Sequence, residues 1–169
     1  MFNLLILIIL PLLLSNITHM VIVKKNYFRF LAIPISVKLF GSNKTLRGFL
    51  ILTFLNTIFS WLIYKILGEE TLVNPLFSGF ILGFVYMLFE LPNSFLKRRI
   101  GINSGEKGTG FKYLFVILDK TDSVFGVSII SSLLYNFSFK YFIILFSISV
   151  IVHVFFSQLL VLLGIKKSF

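Results

Sequence analysis

At 169 residues the chain has room for one domain, and with 57% hydrophobic and only 13% charged residues it is not a soluble globular protein. The formal net charge of +10 does not mark a nucleic-acid binder, because the cations sit beside apolar stretches and not on an extended polar face. There are no cysteines, which removes disulfides, thiolate metal sites and a cysteine nucleophile. What remains is an all-α integral membrane protein, because backbone polar groups in lipid must be satisfied inside helices.

Residues 2–23 form the first expected span, interrupted by Pro11 and carrying Asn16 and His19. With no basic start and no small-residue cleavage site after it, it is read as a retained span and not as a signal peptide. His19 has no catalytic partner nearby in sequence and is assigned to helix-end packing. A basic loop comes next, residues 24–47. Its apolar piece, residues 28–39, is broken by Arg29, Pro34 and Lys38 and is too short and too charged to cross a bilayer, so it is placed at the interface. The loop ends Gly41-Ser42-Asn43-Lys44-Thr45-Leu46-Arg47-Gly48. Glycines there permit close backbone approach, and Lys44 and Arg47 can reach phosphate, although a turn before a helix would look the same.

The second expected span is 49–67, with Asn56 and Thr57 as interhelical hydrogen-bonding residues. After a short loop with Glu69 and Glu70, the third span covers 72–89. Pro75 lies in its first turn, and Gly79 and Gly83 are spaced for helix packing. It delivers Glu90 at its end. From Glu90 to Gly126 the composition changes. Four of the six acidic residues fall there, Glu90, Glu106, Asp119 and Asp122, together with Lys97, Arg98, Arg99, Lys107, Lys112 and Lys120. Gly105, Gly108 and Gly110 read as flexible loop, since no strand precedes them and no Gly-Lys-Ser/Thr comes after.

Residues 111–118 are too few to cross a membrane and are re-entrant, interfacial or the opening turns of the next helix. If that helix is continuous, Asp119 and Asp122 share one face. The fourth span is 124–139, rich in serine. The fifth is 141–163, where His153 and Gln158 are taken as packing polars. Lys166 and Lys167 come after it.

Sidedness comes from the cations. Of the sixteen Lys and Arg, only Lys65 and Lys140 fall on one side of this arrangement. The positive-inside bias therefore gives five transmembrane helices with the amino terminus outside, in a multi-pass plasma-membrane protein. Its two basic cytoplasmic loops form the active site.

Paired carboxylates beside cations suit a metal–triphosphate substrate. Nucleotidyl transfer to a phosphate monoester needs two polyanions held in line and charge neutralised on the departing pyrophosphate. Asp119 and Asp122 can hold a metal, and Lys44, Arg47, Lys97, Arg98 and Arg99 can hold phosphates. Neither histidine nor cysteine is required.

The run Ser94-Phe95-Leu96-Lys97-Arg98-Arg99 and the run Leu118-Asp119-Lys120-Thr121-Asp122-Ser123-Val124-Phe125-Gly126, preceded by Gly41, Lys44, Thr45, Arg47 and Gly48, resemble the signature of the CDP-archaeol synthases. These are small integral membrane enzymes similar to the bacterial phosphatidate cytidylyltransferases. The resemblance covers essentially the whole chain, 1–169, as a single membrane-embedded domain. It implies transfer of CMP from CTP to a lipid phosphate, giving a CDP-lipid and pyrophosphate with Mg²⁺. By the same resemblance Asp119, Asp122 and Lys97 are catalytic, and Asp119, Asp122 and Glu90 are metal carboxylates. Lys44, Thr45, Arg47, Asn93, Ser94, Arg98, Arg99 and Ser123 are the expected substrate contacts. Glu90 stands where the archaeal pattern has Asp, and Lys120-Thr121 departs from it too, which leaves ether-linked and ester-linked acceptors both open. The expected partners are CTP, the lipid phosphate and the bilayer, without nucleic acid; oligomeric state is left open. A competing reading is a small transporter or channel subunit, with Glu90, Asp119 and Asp122 as an ion path buried mid-span.

Overall fold

The computed structural model describes residues 2–68, 71–106 and 112–165. Glu69 and Glu70, the stretch from Lys107 through Gly108 and Gly110, and Lys166 and Lys167 lie outside the described residues. Among those described, the chain forms α1 (Phe2–Lys24), a 3-10 turn (Arg29–Leu31), α2 (Val37–Phe40), α3 (Leu46–Leu67), α4 (Pro75–Arg99), α5 (Lys112–Leu134) and α6 (Phe139–Leu162), with no strand. Helices α1, α3, α4 and α6 are long and apolar enough to cross a membrane. The 23-residue α5 matches them in length, but its first three turns carry Asp119, Lys120 and Asp122 and keep it below that composition.

The packing is that of a protein solvated by lipid. Small polar side chains occupy the helix interfaces: Ser15, Thr53, Asn56, Ser60, Ser78, Ser128 and Ser131 are all buried. Phe54, Phe80, Leu133, Ile151 and Phe155 instead point outward. In hydrocarbon, helix association draws on close backbone approach and interhelical hydrogen bonds, which small polar residues supply. Gly79 and Gly83 on α4 do this against α3, where an added Cβ would press on Ser60, Asn56 and Thr53. Asn56 links three helices: its Nδ2 donates to the Gly79 carbonyl at 2.7 Å, and its Oδ1 accepts from Ser15 Oγ at 3.4 Å. Such bonds contribute about 0.6–2 kcal/mol each in membranes. Thr57, expected to do the same, donates within its own helix to the Thr53 carbonyl. The apolar core is shared by the long helices, with Ile8 and Leu12 meeting Leu52, Leu82, Met87, Val127 and Leu145.

Helix starts are locally encoded. Thr45 caps α3 by accepting from the Gly48 N–H, and Asn74 caps α4 by accepting from the Leu76 N–H, with Pro75 at the first helical position. Two expected boundaries move. Helix α4 does not stop at Phe89; it runs through Pro92 to Arg99. Helix α5 is one piece from Lys112, so residues before Asp119 are its opening turns. The ionisable stretch is therefore mostly helical, and the second basic loop is shortened to the residues between α4 and α5, of which 100–106 are described. The physical reason is that a proline mid-helix forfeits one hydrogen bond, whereas α4 is packed along its length against α3 and α5.

Candidate active site

Helices α1, α4 and α6 contribute their C-terminal ends to one end of the bundle, and α5 its N-terminal turns. The loop before α3 closes over them. A cavity of about 360 Å³ opens there. Its wall includes Asn16 and Met20 from α1, Asn43 and Lys44 from the loop, and Tyr86, Glu90, Asn93, Ser94, Lys97 and Arg98 from α4. Ser104, Gly105 and Glu106 from the loop after α4, Val116, Asp119, Lys120 and Asp122 of α5, and His153, Ser157 and Leu160 of α6 also line it. The α4 residues Tyr86, Glu90, Asn93 and Lys97 recur every three or four positions, so a continuous helix turns all of them to one side.

At the centre, one amide of α4 bridges two carboxylates of α5. Asn93, buried, donates from Nδ2 to Asp119 Oδ1 at 2.7 Å and to Asp122 Oδ2 at 3.0 Å. Its own Oδ1 is buried without a hydrogen-bond partner. Asp122 Oδ1 accepts from the Ser123 backbone N–H at 2.6 Å. One turn further along α4, Lys97 Nζ donates to both Asp119 oxygens, at 2.6 and 2.5 Å. On the other side of the cavity Lys44 and Glu90 form an ion pair. Burial alone would lower the Lys44 pKa, but the carboxylate of Glu90, joined by those of Asp122 and Asp119, outweighs it and holds the ammonium above its ordinary value. Lys44 is therefore charged at any physiological pH.

Three other expected site residues, Thr45, Arg47 and Arg99, do not line this cavity. Thr45 is spent capping α3. Arg47 is buried and reaches away from the cavity wall: Nη1 donates to the Tyr27 carbonyl at 3.1 Å and to Asn26 Oδ1 at 3.4 Å. Asn26 and Phe28 both adopt positive φ, and Arg47 clamps that turn. Arg99 stacks its guanidinium 4.7 Å from the Phe95 ring centroid on the exposed side of α4. Ser94 lines the cavity with its hydroxyl bonded to the Glu90 carbonyl at 2.9 Å, and Ser123 is buried behind Asp122. Glu90 does not join the aspartates: among the described residues no three His, Asp or Glu gather as a metal shell.

Five cavity residues that sequence reasoning did not assign to the site are linked by hydrogen bonds. Tyr86 Oη accepts from Asn16 Nδ2 at 3.1 Å and shares a hydrogen bond with His153 Nδ1 at 3.3 Å. Lys120, buried, donates to Ser157 Oγ at 2.7 Å. The i, i+4 spacing of Tyr86 to Glu90 and of His153 to Ser157 was a signal for them once both segments are read as continuous helix.

The acids sit at the end of the bundle, each beside a donor, and not along a path through its middle. That disposition suits a phosphate-binding site better than an ion conduit. The family model CarS-like, CDP-archaeol synthase, matches residues 1–169, and the chain belongs to that family. Membership implies CTP-dependent cytidylyl transfer to a lipid phosphate. Comparison with curated proteins and with solved structures gives no match.

Proposed function

We propose that this cavity joins the CMP moiety of CTP to a lipid phosphate monoester, releasing pyrophosphate, with Mg²⁺ as the metal. The observation that carries the reading is Asn93 held between Asp119 and Asp122 with its own Oδ1 unpartnered. Two carboxylates and an amide oxygen are hard donors of the kind Mg²⁺ takes, with substrate phosphates and water filling the rest. The orientation of an asparagine amide follows its surroundings, so the same side chain serves either a proton-donating or a metal-binding role. When bound, Mg²⁺ supplies charge neutralisation on the triphosphate. Asp119, Asp122 and Asn93 would hold it; Glu90 is committed to Lys44 and supports the site by fixing that lysine.

The cavity wall carries Glu90, Glu106, Asp119 and Asp122 against Lys44, Lys97, Arg98 and Lys120. A formally balanced wall has no net pull on a free triphosphate. Its cations become available as the acids take up other partners. Lys97 then turns from Asp119 to a phosphate oxygen, and Lys44 and Arg98 fix the polyanions from the opposite wall. An oxygen of the lipid phosphate attacks the α-phosphorus of CTP. The new P–O bond forms as the bond to the β-phosphate bridging oxygen breaks, and that oxygen leaves with pyrophosphate. The acceptor is already anionic, which is why no histidine or cysteine base is needed.

The orientation that suits this chemistry puts the cavity on the cytoplasmic side, with the amino terminus outside, in the plasma membrane; the positive-inside bias supports it. The decisive experiment is to incubate purified protein with labelled CTP and a panel of lipid phosphates across a Mg²⁺ titration. CDP-lipid formation that depends on both is expected, and its absence from every acceptor would overturn the assignment.

A further inference from the structure

Between α1 and the loop that carries Lys44 the chain makes an excursion, residues 27–39, that supplies none of the cavity wall. Helix α1 has 23 residues, which at 1.5 Å per residue is about 35 Å, enough to cross a hydrocarbon core of about 30 Å. Lys24 and the turn after it therefore sit at headgroup depth, at the cavity end of the bundle.

Residues 27–39 show two features together. Their apolar side chains are open to the surroundings: Phe30 is 73% exposed and Val37 63%, with Tyr27, Phe28 and Ile33 also exposed. Between and before them stand the exposed cations Lys24, Lys25, Arg29 and Lys38. From Met1 to Gly68 the chain has no Asp or Glu. Among the described residues the ion pairs are Lys44–Glu90 and Lys97–Asp119, so these four cations have no carboxylate of their own. A solvated basic loop would explain the charge but not the aromatic side chains. An interfacial segment explains both, since aromatic rings settle at the headgroup boundary and cations beside them meet lipid phosphates.

The segment is also fastened to the catalytic loop. Ile35 N–H donates to the Lys44 carbonyl and Leu46 N–H to the Ile33 carbonyl, each at 2.9 Å, around a bridge pairing Pro34 with Thr45. Arg47 ties down its start through the Tyr27 carbonyl. A force on residues 27–39 is thus delivered to the backbone that carries Lys44.

We propose that residues 27–39 dock on the surface of an anionic bilayer. Lys24, Lys25, Arg29 and Lys38 engage lipid phosphates, and this seating positions Lys44 in the cavity. The docking stands independently of the cytidylyltransfer reading; the effect on Lys44 rests on it.

The test uses the full chain in vesicles of phosphatidylcholine, alone or mixed with phosphatidylglycerol. Trp61 is the one tryptophan, so F30W in a W61F background reports on the segment alone. Quenching by lipids brominated high on their chains is expected. Brominated phosphatidylglycerol should quench more than brominated phosphatidylcholine at equal mole fraction, and K24Q/K25Q/R29Q/K38Q should weaken that preference at least about tenfold. R29Q alone should weaken it partially, which covers failure of the fourfold variant to fold. Emission untouched by either lipid would place the segment in water. Equal quenching by both would mean plain insertion without recognition of the anion. Either result overturns the proposal. Turnover is then measured at a fixed mole fraction of lipid phosphate. Phosphatidylglycerol, a phosphodiester and not an acceptor, should raise it several-fold in the parent and not in the charge-neutralised form. Selective quenching without any CDP-lipid synthesis would keep the docking and remove the cytidylyltransfer reading; selective quenching with turnover indifferent to phosphatidylglycerol would remove the coupling to Lys44.

Discussion

Lys97 on α4 grips both carboxylate oxygens of Asp119 on α5, at 2.6 and 2.5 Å. Asp119 is nonetheless 45% exposed at its side chain. A pair that open to solvent adds only about 0–1 kcal/mol to folding, so it is easily exchanged when a phosphate arrives. Lys97→Met should therefore leave the melting temperature nearly unchanged. CDP-lipid synthesis should fall by roughly a hundredfold or more, the scale of one lost transition-state donor. Thermal melting and steady-state turnover on the same preparation check both halves; a destabilised but catalytically normal variant would return Lys97 to a structural role.

Arg47 gives the opposite expectation. Its guanidinium serves the Tyr27 carbonyl and Asn26, so Arg47→Ala removes a buried donor from a turn that already holds positive φ at Asn26 and Phe28. A loss of about 1–3 kcal/mol in stability is expected. Lysine, without the planar fork, should not restore it. Activity should decline in step with the folded fraction. A variant of normal stability with a raised KM for CTP would instead show that Arg47 meets the nucleotide.

The difference between these two residues marks how far the sequence could be read. The apolar runs 49–67 and 72–89, which make up most of α3 and α4, and the glycine pair Gly79 and Gly83 were legible because lipid leaves few alternatives to a packed helix. The acid pair was legible from its spacing. Pro92 hid the rest. It reads as a helix stop, and with a stop there Tyr86, Glu90, Asn93 and Lys97 do not form a stripe. Packing of α4 between its neighbours overrides the local signal. Arg47 looked like Lys44 in sequence, and only the fold of residues 26–35 beside it shows that one faces the cavity and the other a carbonyl.

Gly126 tests whether the α4–α5 approach sets the site. A Cβ built on it would overlap the Phe89 ring of α4. Gly126→Ala should cost about 1–3 kcal/mol through overpacking. It should also lower turnover, because spreading the helices separates Asn93 from the aspartates. Adding Phe89→Ala makes room for the new methyl, so the double variant should recover more than the two single effects added predict. A double-mutant cycle on both melting temperature and turnover reads this directly; strict additivity would mean that the Phe89–Gly126 contact does not set the spacing.

Asp122 is the residue on which the mechanism turns. It lies well inside α5, so a helix-capping role is closed to it. Its two oxygens accept from Asn93 Nδ2 and from the Ser123 N–H. Asp122→Asn keeps the size and one accepting oxygen but removes the negative charge. Loss of that charge should weaken Mg²⁺ binding and cut CDP-lipid formation at least about a hundredfold, on the order of 2.7 kcal/mol. Stability should hold or rise, because a neutral amide at a membrane edge is cheaper to bury than a carboxylate. Raising Mg²⁺ should recover part of the lost rate if the defect is in metal affinity. Turnover against Mg²⁺ and melting temperature, measured together, separate the alternatives. Unchanged synthesis with an ordinary Mg²⁺ dependence would take Asp122 out of the metal site and leave Asn93 as an interhelical link only.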